Sequence, residues 1–160
     1  MNKFTFCVPT LFGLEGIAGN ELKRLNMSDV KVENGRVFFS GTMLDMARAN
    51  IWLRTGERVF LVMGSFRAES FTELFDGVKN LPWENFIPKN GAFPVKGHSL
   101  SSKLFSIPDC QSIIKKAVVE RLREKYNISW FEETGSKYQI QFSIMHDNVT
   151  MYIDTSGAGL

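Results

Sequence analysis

An α+β architecture is predicted by three features of the chain. Strand-like apolar runs alternate with helix-spaced stripes, an Asn34-Gly35 pair joins two β-rich runs, and a β-α-β-β-α-β order is complete within about 65 residues before a second module begins. That order is the split βαβ, or ferredoxin-like, arrangement, in which two helices cover one face of a four-stranded sheet. Composition agrees with a folded protein: of 160 residues, 44% are hydrophobic and 22% charged, and the mean hydropathy is -0.10. A chain of this length buries about two-thirds of its unfolded surface and needs no disulfide staple.

The first predicted strand, Phe4-Thr5-Phe6-Cys7-Val8, is rich in β-formers and stops at Pro9. Leu14, Ile17, Ala18, Leu22 and Leu25 then recur at helical spacing and predict a helix with one buried stripe. Within it, Gly16 and Gly19 each cost helix stability, so a neighbouring strand is expected to approach both closely. Val30-Lys31-Val32 and Arg36-Val37-Phe38-Phe39 flank Asn34-Gly35, a pair suited to two positive-φ positions in a tight hairpin. Thr42-Met43-Leu44-Asp45 reads as a capping box, Leu44, Ala47 and Ile51 continue the stripe, and Gly56 is a stop signal. A short apolar strand over Arg58 to Met63 completes the first domain, expected at residues 1–65.

A second domain is expected over residues 66–160. Ser70-Phe71-Thr72-Glu73 is another capping box, and Phe71, Leu74, Phe75, Val78 and Leu81 form one stripe on a helix ended by Pro82. Ala92 to Gly97 reads as a strand whose Pro94 confines it to an edge, and a loop bearing Ser and Lys continues to Ile107. Pro108-Asp109 opens the longest helix, with Ile114, Ala117, Val118, Leu122 and Tyr126 inward and Lys115, Lys116, Glu120, Arg123 and Glu124 towards water. The alternating run Tyr138 to Ile144, a turn at Asp147-Asn148 and the run Val149 to Ile153 close the sheet. The ending Ser156-Gly157-Ala158-Gly159-Leu160 suits a fragment or a native terminus equally.

Charge is the most informative functional signal. Nineteen basic against seventeen acidic residues leave only +2, yet residues 89–125 hold eight basic and three acidic side chains, and residues 126–160 one basic and four acidic. Lys96 and Lys103 bracket the serine-bearing loop, and Lys115, Lys116, Arg121 and Lys125 lie on the long helix. Ser99, Ser101, Ser102 and Ser106 add hydroxyl donors, and the helix start adds backbone N–H groups suited to phosphate. The alternative is an ordinary solvated helix face with local ion pairs.

Catalytic chemistry is not legible. His98 and His146 lack further metal ligands at short spacing, so no metal site is expected. Cys7 reads as core, and the carboxylate of Asp109 opposes activation of Cys110. Gly13 to Gly19 matches neither a dinucleotide fingerprint nor a Lys-containing phosphate loop. Trp52, Trp83 and Trp130 sit among apolar neighbours and read as core rather than base-stacking residues. With two cysteines, no signal peptide and no run of the roughly 20 apolar residues that span a bilayer, a cytoplasmic location is expected.

Five separated segments carry a family resemblance: Phe12 to Leu22, Ala47-Arg48-Ala49-Asn50-Ile51-Trp52-Leu53-Arg54-Thr55, Lys96-Gly97-His98-Ser99-Leu100-Ser101-Ser102-Lys103-Leu104, Pro108 to Ala117, and Asp154 to Leu160. In this order they resemble the N-terminal half of bacterial THUMP-domain RNA methyltransferases, nearest to the branch that makes N2-methylguanine in large-subunit ribosomal RNA. The resemblance implies a ferredoxin-like domain, then an α/β THUMP domain with a mixed sheet, then a methyltransferase domain using S-adenosylmethionine. Neither the Gly-rich cofactor loop nor the Asn-Pro-Pro-Tyr-like catalytic motif of that last domain has a counterpart here. A fragment is therefore expected, with no catalytic residue and no cofactor of its own, its methyltransferase domain lying C-terminal in cis.

What the resemblance carries over is RNA capture, with large-subunit ribosomal RNA as partner. Lys96, Lys103, Lys115 and Lys116 fall in the matched segments, while Ser102, Arg121 and Lys125 rest on chemistry and position alone. Three alternatives stand beside this reading. They are a tRNA-binding portion of a tRNA-modifying THUMP enzyme, a metabolite-binding regulatory module of ferredoxin-like fold, and an independent enzyme, for which no acid, base and nucleophile set can be assembled.

Overall fold

Strand β1 (Phe4–Pro9) opens the chain in the computed structural model, which describes residues 3–53, 58–128 and 134–155. Two units form, one running to Val62 and including Asp154 and Thr155, the other spanning Met63–Ile153. The boundary expected after Ser65 falls inside a strand, β4 (Phe60–Arg67), which runs four residues beyond its expected end at Met63.

In the first unit β1 is followed by α1 (Glu15–Arg24), β2 (Ser28–Glu33), β3 (Arg36–Gly41), α2 (Met43–Trp52) and the start of β4. The strand order is β2-β3-β1-β4, all antiparallel, with Phe4 opposite Gly41 and Phe6 opposite Leu61. This is the expected ferredoxin-like order. Phe6, Val8, Ala18, Leu22, Val37, Phe39 and Ala49 fill the core, where the Phe6 and Phe39 rings stack 5.2 Å apart. Asp154 and Thr155 belong to this unit. Thr155 N–H donates to the Val59 carbonyl at 3.1 Å, Asn50 Nδ2 donates to Thr155 Oγ1 at 3.1 Å, and Arg58 pairs with the buried carboxylate of Asp154.

Several local expectations need correction. An added Cβ at Gly19 would lie 2.8 Å from Val32 Cγ2 on β2, as expected of a close approach, but one at Gly16 meets open space. Ile17 is exposed, so α1 buries a narrower stripe of Ala18, Gly19 and Leu22. Of the Asn34-Gly35 pair only Gly35 takes a positive φ, 78°. The α2 capping box forms, with Asp45 N–H on Thr42 Oγ1 and Thr42 N–H on Asp45 Oδ2, and the Thr42 amide is the main cause of a lowered Asp45 pKa. That helix, however, buries Met46 and Ala49, leaving Leu44, Ala47, Ile51 and Trp52 exposed. The expected stop at Gly56, and Arg54 and Thr55 of the second resemblance segment, lie outside the described residues.

The second unit continues β4 and adds α3 (Phe71–Lys79), a short 3-10 turn at Trp83–Asn85, β5 (Val95–Leu100), α4 (Ile107–Tyr126), β6 (Ile140–Met145) and β7 (Asn148–Asp154). Its strand order is β4-β7-β6-β5. β5 runs parallel to β6 (Val95 opposite Ile140, Leu100 opposite Met145), and β6 is antiparallel to β7, so the sheet is mixed. Trp83, Phe93, Ile114, Leu122, Phe142 and Ile144 form the core, and the Trp83 indole N–H donates to the Val78 carbonyl at 2.8 Å, which lets the polar edge of the ring be buried without loss.

Here too the local chemistry shifts details. Ser70 Oγ accepts from Glu73 N–H at 3.2 Å, but the Glu73 carboxylate accepts from the Ser70 hydroxyl and the Glu69 N–H rather than from the Ser70 N–H. Phe71, counted in the α3 stripe, is exposed. β5 is an edge strand directly after Pro94, as that proline requires, and it continues through residues taken as loop. The last hairpin turns on His146 and Asp147, both at positive φ (50° and 66°), one residue before the expected Asp147-Asn148. A two-residue loop of this type needs positive φ at both central positions. Trp130, Phe131 and the tail from Ser156 lie outside the described residues.

Candidate nucleic-acid interface

Edge strand β5 presents its side chains by strict alternation. Phe93 lies beneath α4, with the Lys115 Nζ 4.0 Å from its ring centroid, and Val95, Gly97 and Ser99 share that covered side. Lys96, His98 and Leu100 therefore point to the opposite face, where all three are exposed. Gly97 is required for this arrangement, because a Cβ there would run into the carbonyl oxygen and ring of Phe142 on β6. The outward edge of β5 is closed by α4: Gln111 Nε2 donates to the Val95 carbonyl at 3.1 Å and Lys115 Nζ to the Phe93 carbonyl at 3.2 Å. Such side chains blunt an edge that would otherwise pair with another strand.

The seven residues singled out from the sequence thus separate into two groups. Lys96, Lys116 and Lys125 are exposed with no ion-pair partner among the described residues, and Lys103 is 66% exposed while touching Glu69 at 3.2 Å. Lys115, expected towards water, turns back onto Phe93, since an amphipathic stem next to an aromatic ring gains a cation–π contact and a carbonyl acceptor. Ser102 Oγ donates to the Leu100 carbonyl at 2.8 Å and accepts from Asp147 N–H at 2.9 Å, so its hydroxyl holds a turn. Arg121 Nε and Nη2 donate to both oxygens of Glu84 at 3.0 and 2.9 Å. Lys96 lies on the exposed face of β5, Lys103 follows the strand's end, and Lys116 and Lys125 lie on α4, so the four cations are spread over three elements.

The Arg121–Glu84 pair holds the Glu84 carboxyl below the ordinary glutamate range, chiefly through the Arg121 hydrogen bonds, and raises the Arg121 guanidinium correspondingly. A carboxylate with a depressed folded pKa stabilises the fold above its unfolded pKa, and that contribution disappears as pH falls through the depressed value. Glu84→Gln is expected to cost about 1–2 kcal/mol at pH 7. In urea unfolding the variant and the original protein should converge in acid, where the original loses the same charge.

Loop residues 101–106 are pinned by one side chain that sequence spacing does not single out. Asp147 Oδ1 accepts from Lys103 N–H at 2.8 Å, its carbonyl accepts from Ala68 N–H at 2.9 Å, and its Oδ2 lies 3.4 Å from Arg67 Nη2. Arg67 was missed as well: it is 58% exposed at the end of β4, 80 residues from Asp147, and belongs to no basic run. Other site chemistry is absent among the described residues. No group of three His, Cys, Asp or Glu can hold a metal, and both thiols are buried. Burial first, and Asp109 second, push the Cys110 thiol up, against any nucleophilic role. The glycines from Gly13 to Gly19 form a turn and the first part of α1, with Gly19 packed on Val32. No described helix is long and apolar enough to cross a membrane.

Comparison with known proteins bears on this arrangement. Residues 5–60 match the family described as "RlmL ferredoxin-like domain", and residues 68–154 match "THUMP domain". A Bacillus subtilis protein named "Putative RNA methyltransferase YpsC" is 43% identical over the full chain, which covers 42% of that relative. The "Ribosomal RNA large subunit methyltransferase K/L" of Psychromonas ingrahamii is 26% identical over 98% of the chain, which covers 21% of it. Among solved structures, a Listeria monocytogenes protein described as "a predicted N6-adenine-specific DNA methylase" superposes with a TM-score of 0.94 at 49% identity, over 99% of this chain and 42% of that one. SMU.472, described as "a putative methyltransferase complexed with SAH", superposes at 0.92 with 38% identity, over 97% of this chain and 42% of that one. The chain spans less than half the length of these relatives.

Proposed function

The chain belongs to the THUMP-domain family, and from that premise we propose that it is the RNA-capturing portion of an S-adenosylmethionine-dependent methyltransferase acting on N2 of guanine in large-subunit ribosomal RNA. The observation that carries this reading is the set of four exposed lysines, Lys96, Lys103, Lys116 and Lys125, on an edge strand, the loop after it and a long helix. Residues 66–160 form the RNA-binding THUMP domain that supplies the contacts, and residues 1–65 form the N-terminal ferredoxin-like domain. The reaction, its cofactor and the base it modifies belong to a catalytic domain that these residues do not contain. The naming of the Psychromonas relative supports ribosomal RNA as the substrate, and two buried thiols suit a cytoplasmic location.

Point-charge lysines on rigid elements hold phosphates and set orientation, whereas reading bases needs planar, bidentate or stacking groups. The deep groove of A-form RNA excludes side chains, so a stem is recognised by the spacing of its phosphates and by its shape. The capture role then requires a preference for A-form RNA over B-form DNA, which the naming of the Listeria relative makes a necessary comparison. Binding to a large-subunit ribosomal RNA stem, to a tRNA and to a DNA duplex of the stem's sequence, measured in parallel at fixed salt, tests it. Tightest binding is expected for the ribosomal stem. Tighter binding to tRNA would move the chain to the tRNA-modifying branch, and tighter binding to the duplex would remove RNA as the substrate.

A further inference from the structure

At the end of the second unit's sheet, one carboxylate oxygen is shared by two cations. Glu69 Oε1 lies 3.1 Å from Arg67 Nη2 and 3.2 Å from Lys103 Nζ, so the two positive groups are already spaced to grip a single oxygen. All three side chains remain accessible: Arg67 is 58% exposed, Lys103 66% and Glu69 37%. We propose that Arg67 and Lys103 are a clamp for a backbone phosphate of RNA, and that Glu69 occupies the clamp until the phosphate displaces it. This rests on the RNA-capture reading and names a device within it.

The backbone around the clamp is fixed before any ligand arrives. Asp147 holds the Lys103 amide, the Ala68 amide and, through its own N–H, the Ser102 hydroxyl, so the segments bearing both cations are tied to one turn. Ser101, His146 and Asp147 all carry positive φ (49°, 50° and 66°), a concentration of costly backbone that the surrounding bonds must maintain. Pre-positioning of this kind reduces the ordering cost of binding. Glu69 is the replaceable member. Exposed ion pairs hold weakly, and a phosphodiester oxygen offers the same charge in a geometry that suits both a guanidinium fork and an ammonium.

Charge balance explains why such a device matters. With Glu69 and Asp147 in place, Arg67 and Lys103 are neutralised, so the clamp attracts no polyanion from a distance. It engages only when the neighbouring lysines have brought a strand of the right shape to it, which makes it a contact for register rather than for general affinity.

A double-mutant cycle on binding to the ribosomal stem tests this. Glu69→Gln, which keeps the side chain's shape and removes its charge, is expected to raise affinity about 3- to 10-fold, and Glu69→Ala should act in the same direction. Asp76→Asn, the same change of charge on the exposed side of α3, should stay within about twofold. In an Arg67→Ala, Lys103→Ala background the gain from Glu69→Gln should vanish. A gain that persists without the clamp, one no larger than that of Asp76→Asn, or a loss would overturn the proposal. If those results came while Lys96→Glu and Lys116→Glu still weakened binding, the capture reading would stand and the clamp alone would fall. Absence of RNA binding by the original protein would remove both.

Discussion

Gly97→Ala is expected to be among the most damaging single substitutions in the second unit, costing about 3 kcal/mol and lowering the melting temperature by roughly 10 °C. The added methyl would meet the Phe142 carbonyl oxygen and ring on the paired strand, and backbone in a parallel ladder cannot swing aside as a flexible side-chain tip can. Relief requires β5 to peel from β6. That strand carries Lys96 and leads directly into the Lys103 loop, so RNA affinity should fall about tenfold even below the melting temperature, where phosphate contacts are lost to displacement. Gly16→Ala is the matched contrast. No heavy atom stands near its Cβ, and alanine should stabilise α1 by about 0.5–1 kcal/mol with binding unchanged. Thermal melts and stem binding of the two variants separate strand geometry from a general intolerance of glycine replacement.

Combined Lys96→Glu, Lys103→Glu and Lys116→Glu should do the reverse: large loss of binding with little loss of stability. All three ammonium groups lie at the surface, where substitutions usually move stability by no more than about 0.5 kcal/mol each. Three of about five phosphate contacts would be replaced by repulsion, so affinity for the stem should fall roughly 100-fold or more at physiological salt. A Lys115→Glu variant belongs in the comparison for the opposite reason. Its ammonium rests on the Phe93 ring and carbonyl, so reversing it should disturb the α4–β5 packing before it disturbs RNA. Equal and small effects of the triple variant and an unrelated surface reversal would show that these lysines are merely a solvated face.

The legible parts of the fold were those in which one local signal had one outcome. Asn34-Gly35 between β-rich runs, Thr42 with Asp45, Pro94 before an edge strand and Pro108 in the first turn of α4 all act within four residues, and the structure realises each. Periodicity fixed that α2 is a helix but not which side is inward. Met43 to Trp52 offers two apolar stripes offset by two residues and so on different faces, and packing selects Met46 and Ala49 over Leu44, Ala47 and Ile51. The hairpin turn moved by one residue because Asp147 and Asn148 are both good turn formers, while the ladder sets the register.

The candidate site was legible as charge and illegible as partnership. Counting basic residues finds Lys96, Lys103, Lys116 and Lys125. It also counts Arg121, whose partner Glu84 lies 37 residues away, and Lys115, whose acceptor at Phe93 lies 22 residues away. Arg67 was invisible for the same reason in reverse, since its neighbours Lys103 and Asp147 come from distant segments. Only closure of the sheet brings these groups together, and no spacing rule reports it.

If exposed cations of the second unit capture RNA through its phosphates, binding must weaken steeply with salt. Titrating the chain with the ribosomal stem across a potassium chloride series should give log K falling linearly with log salt at a slope of roughly −3.5 to −4.5, as for about five phosphate contacts. A slope near zero would contradict the account.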